Sequence, residues 1–259
     1  MKILIITQKV DAADRTLGFF VRWIEEFAKH CERVTAICLE LGPYRLPPNV
    51  SVHSLGKERL KIENWKLDIS RRILYSCRFL RLIWSMRREY DSVFVHMNPE
   101  YAILGGLLWR VFGKKIVLWY VHKKVNWRVR LAEKLVDKIF TASRESCRLA
   151  SKKVEVVGHG IPTEVFAPHR ARPPKLNLVT VGRVSPIKDL HTIIIAFLAL
   201  KRTFPEAELS IIGDPITERD QRYAAQLQEE FGAKVHFAGG APYGSVCAKP
   251  YTVFVHASR

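Results

Sequence analysis

The stretch Val179–Leu200, VTVGRVSPIKDLHTIIIAFLAL, decides how this chain is read. The apolar run 178–181 reads as a buried strand that stops at Gly182-Arg183. Ser185 is a helix-capping residue type, and Pro186 suits the first helical position. Ile187, Leu190, Ile193, Ile194 and Phe197 follow at helical spacing. The pattern is strand, short loop, helix, with Arg183 in the loop and Lys188 in the first helical turn. A lysine there is unfavourable by about 0.3–1 kcal/mol, because a helix N-terminus already carries about half a positive charge. A bound phosphate reconciles the two, since backbone N–H groups and both cations converge on it. The other reading is a solvated Lys188 partly offset by Asp189.

Outward from this stretch, strands and helices alternate along most of the 259 residues. KILIIT (2–7) opens as a buried parallel strand, followed by a loop with Asp11, Asp14 and Gly18 and the helix FFVRWIEEFAKH. RVTAICL (33–39), VSVHSL, SVFVH (92–96), KIVLWYVH (115–122), DKIFTAS (137–143) and VEVV supply further strands. Helices are expected in the second half of 57–90, at YAILGGLLWRVFG, at 128–136 and at 143–150. Such alternation predicts an α/β protein with mostly parallel sheets and right-handed crossovers. Ligands in such sheets bind beyond the carboxyl ends of strands, which makes His96 and Glu100 candidates for an acceptor substrate.

Composition narrows the classes. Forty-two Lys and Arg face 25 Asp and Glu, for a net charge of +17, so the expected partners are anionic. A nucleic-acid-binding module is one such reading, but the cations are scattered and no binding motif is found, so no nucleic acid is expected. The five cysteines show neither CxxC nor metal-ligand spacing and read as reduced thiols of a cytoplasmic protein. No apolar run approaches the ~18 residues that span a bilayer. G-x-G-x-x-G, the P-loop and D-x-D are all absent. The segment 57–90 holds ten Lys/Arg against four acids. Its Arg71, Arg78, Arg81 and Arg88 fall on one stripe, with Trp65 and Trp84 nearby. It reads as a crossover helix with a solvated edge, or as a face resting on anionic lipid at the inner membrane surface.

G-R-x-S-P-x-K-D-L before an apolar helix resembles the donor-diphosphate loop of the retaining glycosyltransferases of family 4, which have the GT-B fold of two Rossmann-like domains. The resemblance implies that Arg183 and Lys188 grip the diphosphate of a nucleotide-sugar without a metal or other cofactor. It places Gly18 near the donor phosphates and makes His122 the histidine that contacts the transferred sugar. Gly213-Asp214 matches the turn after the next strand, and KVHFAGG with Ala241 matches the turn against the nucleobase. Domains are expected at 1–167 and 176–259, joined by a Pro-rich basic linker at 168–175. The family's paired glutamates, E-x7-E, are not reached by Arg259, so the second domain is expected to be incomplete and the sequence to be truncated at its C-terminal end. The implied reaction is sugar transfer with retention, to a lipid-linked or surface-polysaccharide precursor. A GT-B nucleotide-sugar epimerase is the alternative enzyme.

Overall fold

A computed structural model describes residues 1–14, 16–59, 69–160, 175–241 and 253–257. The protein forms two compact units, Met1–Ile161 and Pro162–Arg259. The linker expected at 168–175 lies, Lys175 apart, outside the described residues.

The first unit carries seven parallel strands: β1 (Lys2–Val10), β2 (Arg33–Leu41), β3 (Val50–Ser54), β4 (Ser92–His96), β5 (Lys115–Trp119), β6 (Lys138–Thr141) and β7 (Val154–Val156). Their order is β3-β2-β1-β4-β5-β6-β7. The direction of winding therefore reverses between β1 and β4. Period-2 alternation along β1 explains the layering. Ile3 and Ile5 face a core with Phe20 and Ile24 of α1 (Phe19–His30). Leu4 and Ile6 face a second core on the opposite side. That core is filled by α2 (Ile69–Ser85), α3 (Pro99–Val111) and α4 (Trp127–Leu135) through Phe79, Ile83, Trp109 and Val129. The buried Trp109 indole donates to the Tyr90 hydroxyl at 3.1 Å, and that hydroxyl donates to the Ile83 carbonyl at 3.0 Å.

Two expectations change here. Residues 143–150 form no helix: a turn at 144–146 closes through Ser143 and Ser146, and the backbone then runs on irregularly to β7. The strand expected to reach His122 ends at Trp119, level with His96 at the end of its other neighbour β4, and one further bond, Tyr120 N–H to the Phe140 carbonyl at 2.9 Å, closes the ladder with β6.

The second unit has a sheet of β8 (Asn177–Val181), β9 (Glu208–Ile212), β10 (His236–Gly239) and β11 (Val253–Phe254), all parallel, in the order β10-β9-β8-β11. The winding reverses next to β8. Helices α5 (Leu190–Lys201) and α6 (Glu218–Phe231) bury Ile193, Ile194, Phe197, Leu227 and Phe231 against Leu178, Leu209 and Ile211.

Candidate functional site

The carboxyl ends of β8, β9 and β10 meet through three glycines. Gly182, Gly213 and Gly239 all have positive φ, at 148°, 149° and 68°. They interlock: Gly182 N–H donates to the Ile212 carbonyl at 2.9 Å, Val184 N–H to the Asp214 carbonyl at 3.2 Å, and Gly213 N–H to the Gly239 carbonyl at 2.9 Å. The Asp214 carboxylate accepts from Gly240 N–H at 2.7 Å. A Cβ built on Gly213 would sit 1.9 Å from the Gly182 carbonyl oxygen, so only glycine allows this approach. Four residues singled out for a nucleoside, Gly213, Asp214, Gly239 and the half-buried Ala241, thus lie beside the loop that carries Arg183.

That loop differs from the expected helix start. Pro186–Lys188 is a 3-10 turn, Asp189 adopts left-handed φ of 47°, and α5 begins only at Leu190. Lys188 therefore ends the 3-10 turn and does not enter the first turn of α5. Ser185 does not cap the turn with its side chain. Its buried hydroxyl is bonded to the Asp220 carboxylate. Asp220 is itself the third residue of α6 and closes a capping box: it accepts from Thr217 N–H at 3.1 Å, and Thr217 Oγ1 accepts from Asp220 N–H at 3.2 Å. Burial pushes the Asp220 pKa up, but the Ser185 and Thr217 hydrogen bonds and the Arg183 charge outweigh it and hold the carboxyl below its usual value.

Arg183 Nε lies 3.7 Å from Asp220 Oδ2, with the Arg183 side chain 41% exposed. The ion pair orients the guanidinium and leaves part of its donor fork open to solvent. Lys188 stretches back over the loop, its Cε 3.7 Å from where a Gly182 side chain would begin, and it makes no ion pair among the described residues. A cleft of about 520 Å³ opens here, bounded by Arg183, Ser185 and Ile187 on one side and by Thr217, Arg219 and Asp220 on the other. Sequence reasoning missed Asp220 and Arg219. The T-x-x-D spacing at 217–220 marks the cap, but nothing local ties it to a loop 35 residues earlier.

In the first unit the singled-out residues have different surroundings. His122 is exposed in the loop after β5, and its Nδ1 accepts from Lys124 N–H at 2.9 Å, which leaves Nε2 as the outward donor of the neutral ring. Glu100 is exposed in the first turn of α3 and pairs with Arg128 at 3.5 Å. The Gly18 N–H is used internally, donating to the Asp14 carbonyl at 2.9 Å, and a Cβ there would approach that oxygen to 2.4 Å. His96 is 2% exposed, stacks on Phe20 at 3.9 Å and shares a 3.2 Å hydrogen bond with Thr7 across β1 and β4. It is packed as a core residue, where strand-end position had offered it to a substrate.

The burial of His96 carries a pH prediction. Burial, reinforced by the charge of His159, pushes its pKa down to about 3 from 6.5. Between those values the unfolded state binds more protons than the folded one, so stability is lost as pH falls from about 6.5 towards 3. The loss is on the order of several kcal/mol. Urea midpoints for the first unit are expected to drop clearly between pH 7.5 and pH 5, and to drop less in His96→Leu. Equal slopes for the two proteins would contradict the assignment.

No protein-family model matches the sequence, and no curated protein matches it. Solved structures do. HepE of Anabaena, in complex with UDP and glucose, is 16% identical with a TM-score of 0.66 over all of this chain and 74% of its own. The lipopolysaccharide outer core galactosyltransferase WaaB is 17% identical with a TM-score of 0.58 over the same shares. A UDP-GlcNAc 2-epimerase from Methanocaldococcus jannaschii gives 12% and 0.56 over 96% of this chain and 76% of its own. The fold is thus the α/β, parallel-sheet fold of GT-B glycosyltransferases.

Proposed function

We propose that this protein is a family-4-like, retaining glycosyltransferase that takes a hexose from a nucleotide-sugar. One observation carries the reading: at the carboxyl ends of the strands, a loop that three positive-φ glycines let pack closely puts Arg183 on the wall of a cleft of about 520 Å³ and folds Lys188 back over Gly182. In this reading the two cations neutralise the diphosphate as it leaves, the charge-stabilising role that is often the largest catalytic contribution. They take the place of a divalent metal. Asp220 holds Arg183 in reach by its 3.7 Å ion pair. His122, whose Nδ1 accepts from Lys124 N–H and whose Nε2 is left as donor, is the residue proposed to contact the transferred sugar. The turn 213–214 and the segment 239–241 receive the nucleoside.

The acceptor is proposed to be a lipid-linked or surface-polysaccharide precursor, reached at the cytoplasmic membrane face. No helix among the described residues is long and apolar enough to cross a membrane. The arginine stripe first read from 57–90 is incomplete as a lipid-facing edge. Arg78 donates to the Leu55 carbonyl at 2.8 Å, Arg88 lies past the end of α2, and Trp65 is outside the described residues.

UDP occupies the HepE structure, so uridine nucleotides are the first probes. Saturation-transfer NMR of the 259-residue protein with a panel of nucleotide-sugars is expected to show contacts to nucleoside and sugar protons of one donor, displaced by the matching nucleoside diphosphate. No contact with any donor of the panel would overturn the reading.

A further inference from the structure

The outer face of α3 is largely aliphatic, although its inner face already fills the core, and its two exposed charges are tied down, Glu100 to Arg128 and Arg110 to the Leu135 carbonyl. Ala102, Gly105, Gly106 and Trp109 point inward, and Gly106 lets the helix close on Leu135 of α4. On the opposite side Leu104, Leu107 and Val111 fall at helical spacing and are exposed, Leu107 to 67% and Val111 to 74%. A helix with aliphatic residues on both its inner and its outer side is normally enclosed. Flanking it, Trp84 of α2 is exposed and packs edge-on against Phe112 at 5.4 Å, and Trp127 and Leu131 of α4 are exposed as well. Each flanking tryptophan carries an arginine over its ring, Arg87 at 5.1 Å and Arg128 at 5.3 Å.

We infer that the α2–α3–α4 face of the first unit is a membrane-docking surface that inserts Leu107 and Val111 into an interface rich in anionic lipid. Charge decides the occupant. The helices α2, α3 and α4 hold eight Lys and Arg against two Glu, a net charge of +6. Two copies of this face would repel one another, whereas an anionic headgroup layer complements it. The distribution also fits, with aliphatic residues at the centre and tryptophans with stacked arginines at the margin, as at a membrane interface. The inference deepens the membrane part of the proposed function and moves its centre from the arginine stripe to α3. It does not depend on the donor site, so failure of nucleotide binding would leave it standing.

The test is co-sedimentation of the whole protein with vesicles of phosphatidylcholine alone or with phosphatidylglycerol. Binding is expected only to the anionic vesicles, with release in 1 M salt, where the screening length falls to about 3 Å. Tryptophan emission should shift to the blue on binding and be quenched by lipids with brominated acyl tails. Leu107→Glu/Val111→Glu is expected to lower the partition coefficient at least tenfold. The milder Leu107→Ser/Val111→Ser, which keeps the charge, should abolish the deeper quenching while circular dichroism stays unchanged. Wild-type indifference to anionic vesicles at low salt would overturn the inference. So would binding that survives both double variants, or a dimer in sedimentation velocity that either variant dissociates.

Discussion

Gly213→Ala is expected to prevent the second unit from reaching its native packing. A methyl group at that position would overlap the Gly182 carbonyl, 1.9 Å away, and the backbone φ of 149° disfavours any side chain. Backbone strain alone costs about 1–3 kcal/mol. Relieving the overlap must also separate β8 from β9 at the Gly182–Ile212 hydrogen bond. Together these consume much of the ~5–15 kcal/mol that a whole domain has to spare. Limited proteolysis should cut the variant rapidly between 175 and 257 while residues 1–160 survive. Gly160→Ala is the matched control, because nothing lies within 4 Å of its added Cβ and its φ is ordinary. A Gly213→Ala protein as resistant as wild type would show that the glycine interlock is not required.

Arg183→Ala is the second large effect expected, this time on binding. Hydrogen bonds to charged groups are worth about 1.5–3 kcal/mol each, so loss of the guanidinium should weaken a nucleoside diphosphate at least tenfold. The substitution also strips Asp220 of its ion pair but leaves its bonds from Ser185 and Thr217, so α6 keeps its cap. Unfolding midpoints should therefore barely move. Asp220→Asn is expected to weaken binding by a smaller factor, since it loosens the orientation of Arg183 without removing the cation.

Much of the fold could be read from local pattern. The helix at Phe19–His30 follows from its apolar spacing, and the strands that open each βα unit follow from uninterrupted apolar runs. What escaped depends on partners far away in sequence. Ser185-Pro186 reads as a helix start, yet the Ser185 hydroxyl is taken by Asp220, and the turn that follows is 3-10 with Asp189 left-handed. His96 reads as a strand-end residue open to ligand, yet Phe20 of α1 covers it. The outward apolar stripe of α3 was hidden differently. YAILGGLLWRVFG has apolar residues on every side and Arg110 as its one charge, so its sequence alone does not tell which apolar side the core leaves uncovered.

In the proposed function a nucleoside diphosphate sits on Arg183 and Lys188 at the carboxyl end of the second sheet. The decisive measurement is calorimetric titration of UDP and GDP into the wild-type protein, Arg183→Ala, Lys188→Ala and the control Arg202→Ala. Saturable binding of one of them by wild type and by Arg202→Ala, weakened at least tenfold in both loop variants with their unfolding midpoints intact, is the predicted result. Equal affinity across all four proteins, or no binding of either nucleotide by the folded wild-type protein, would contradict it.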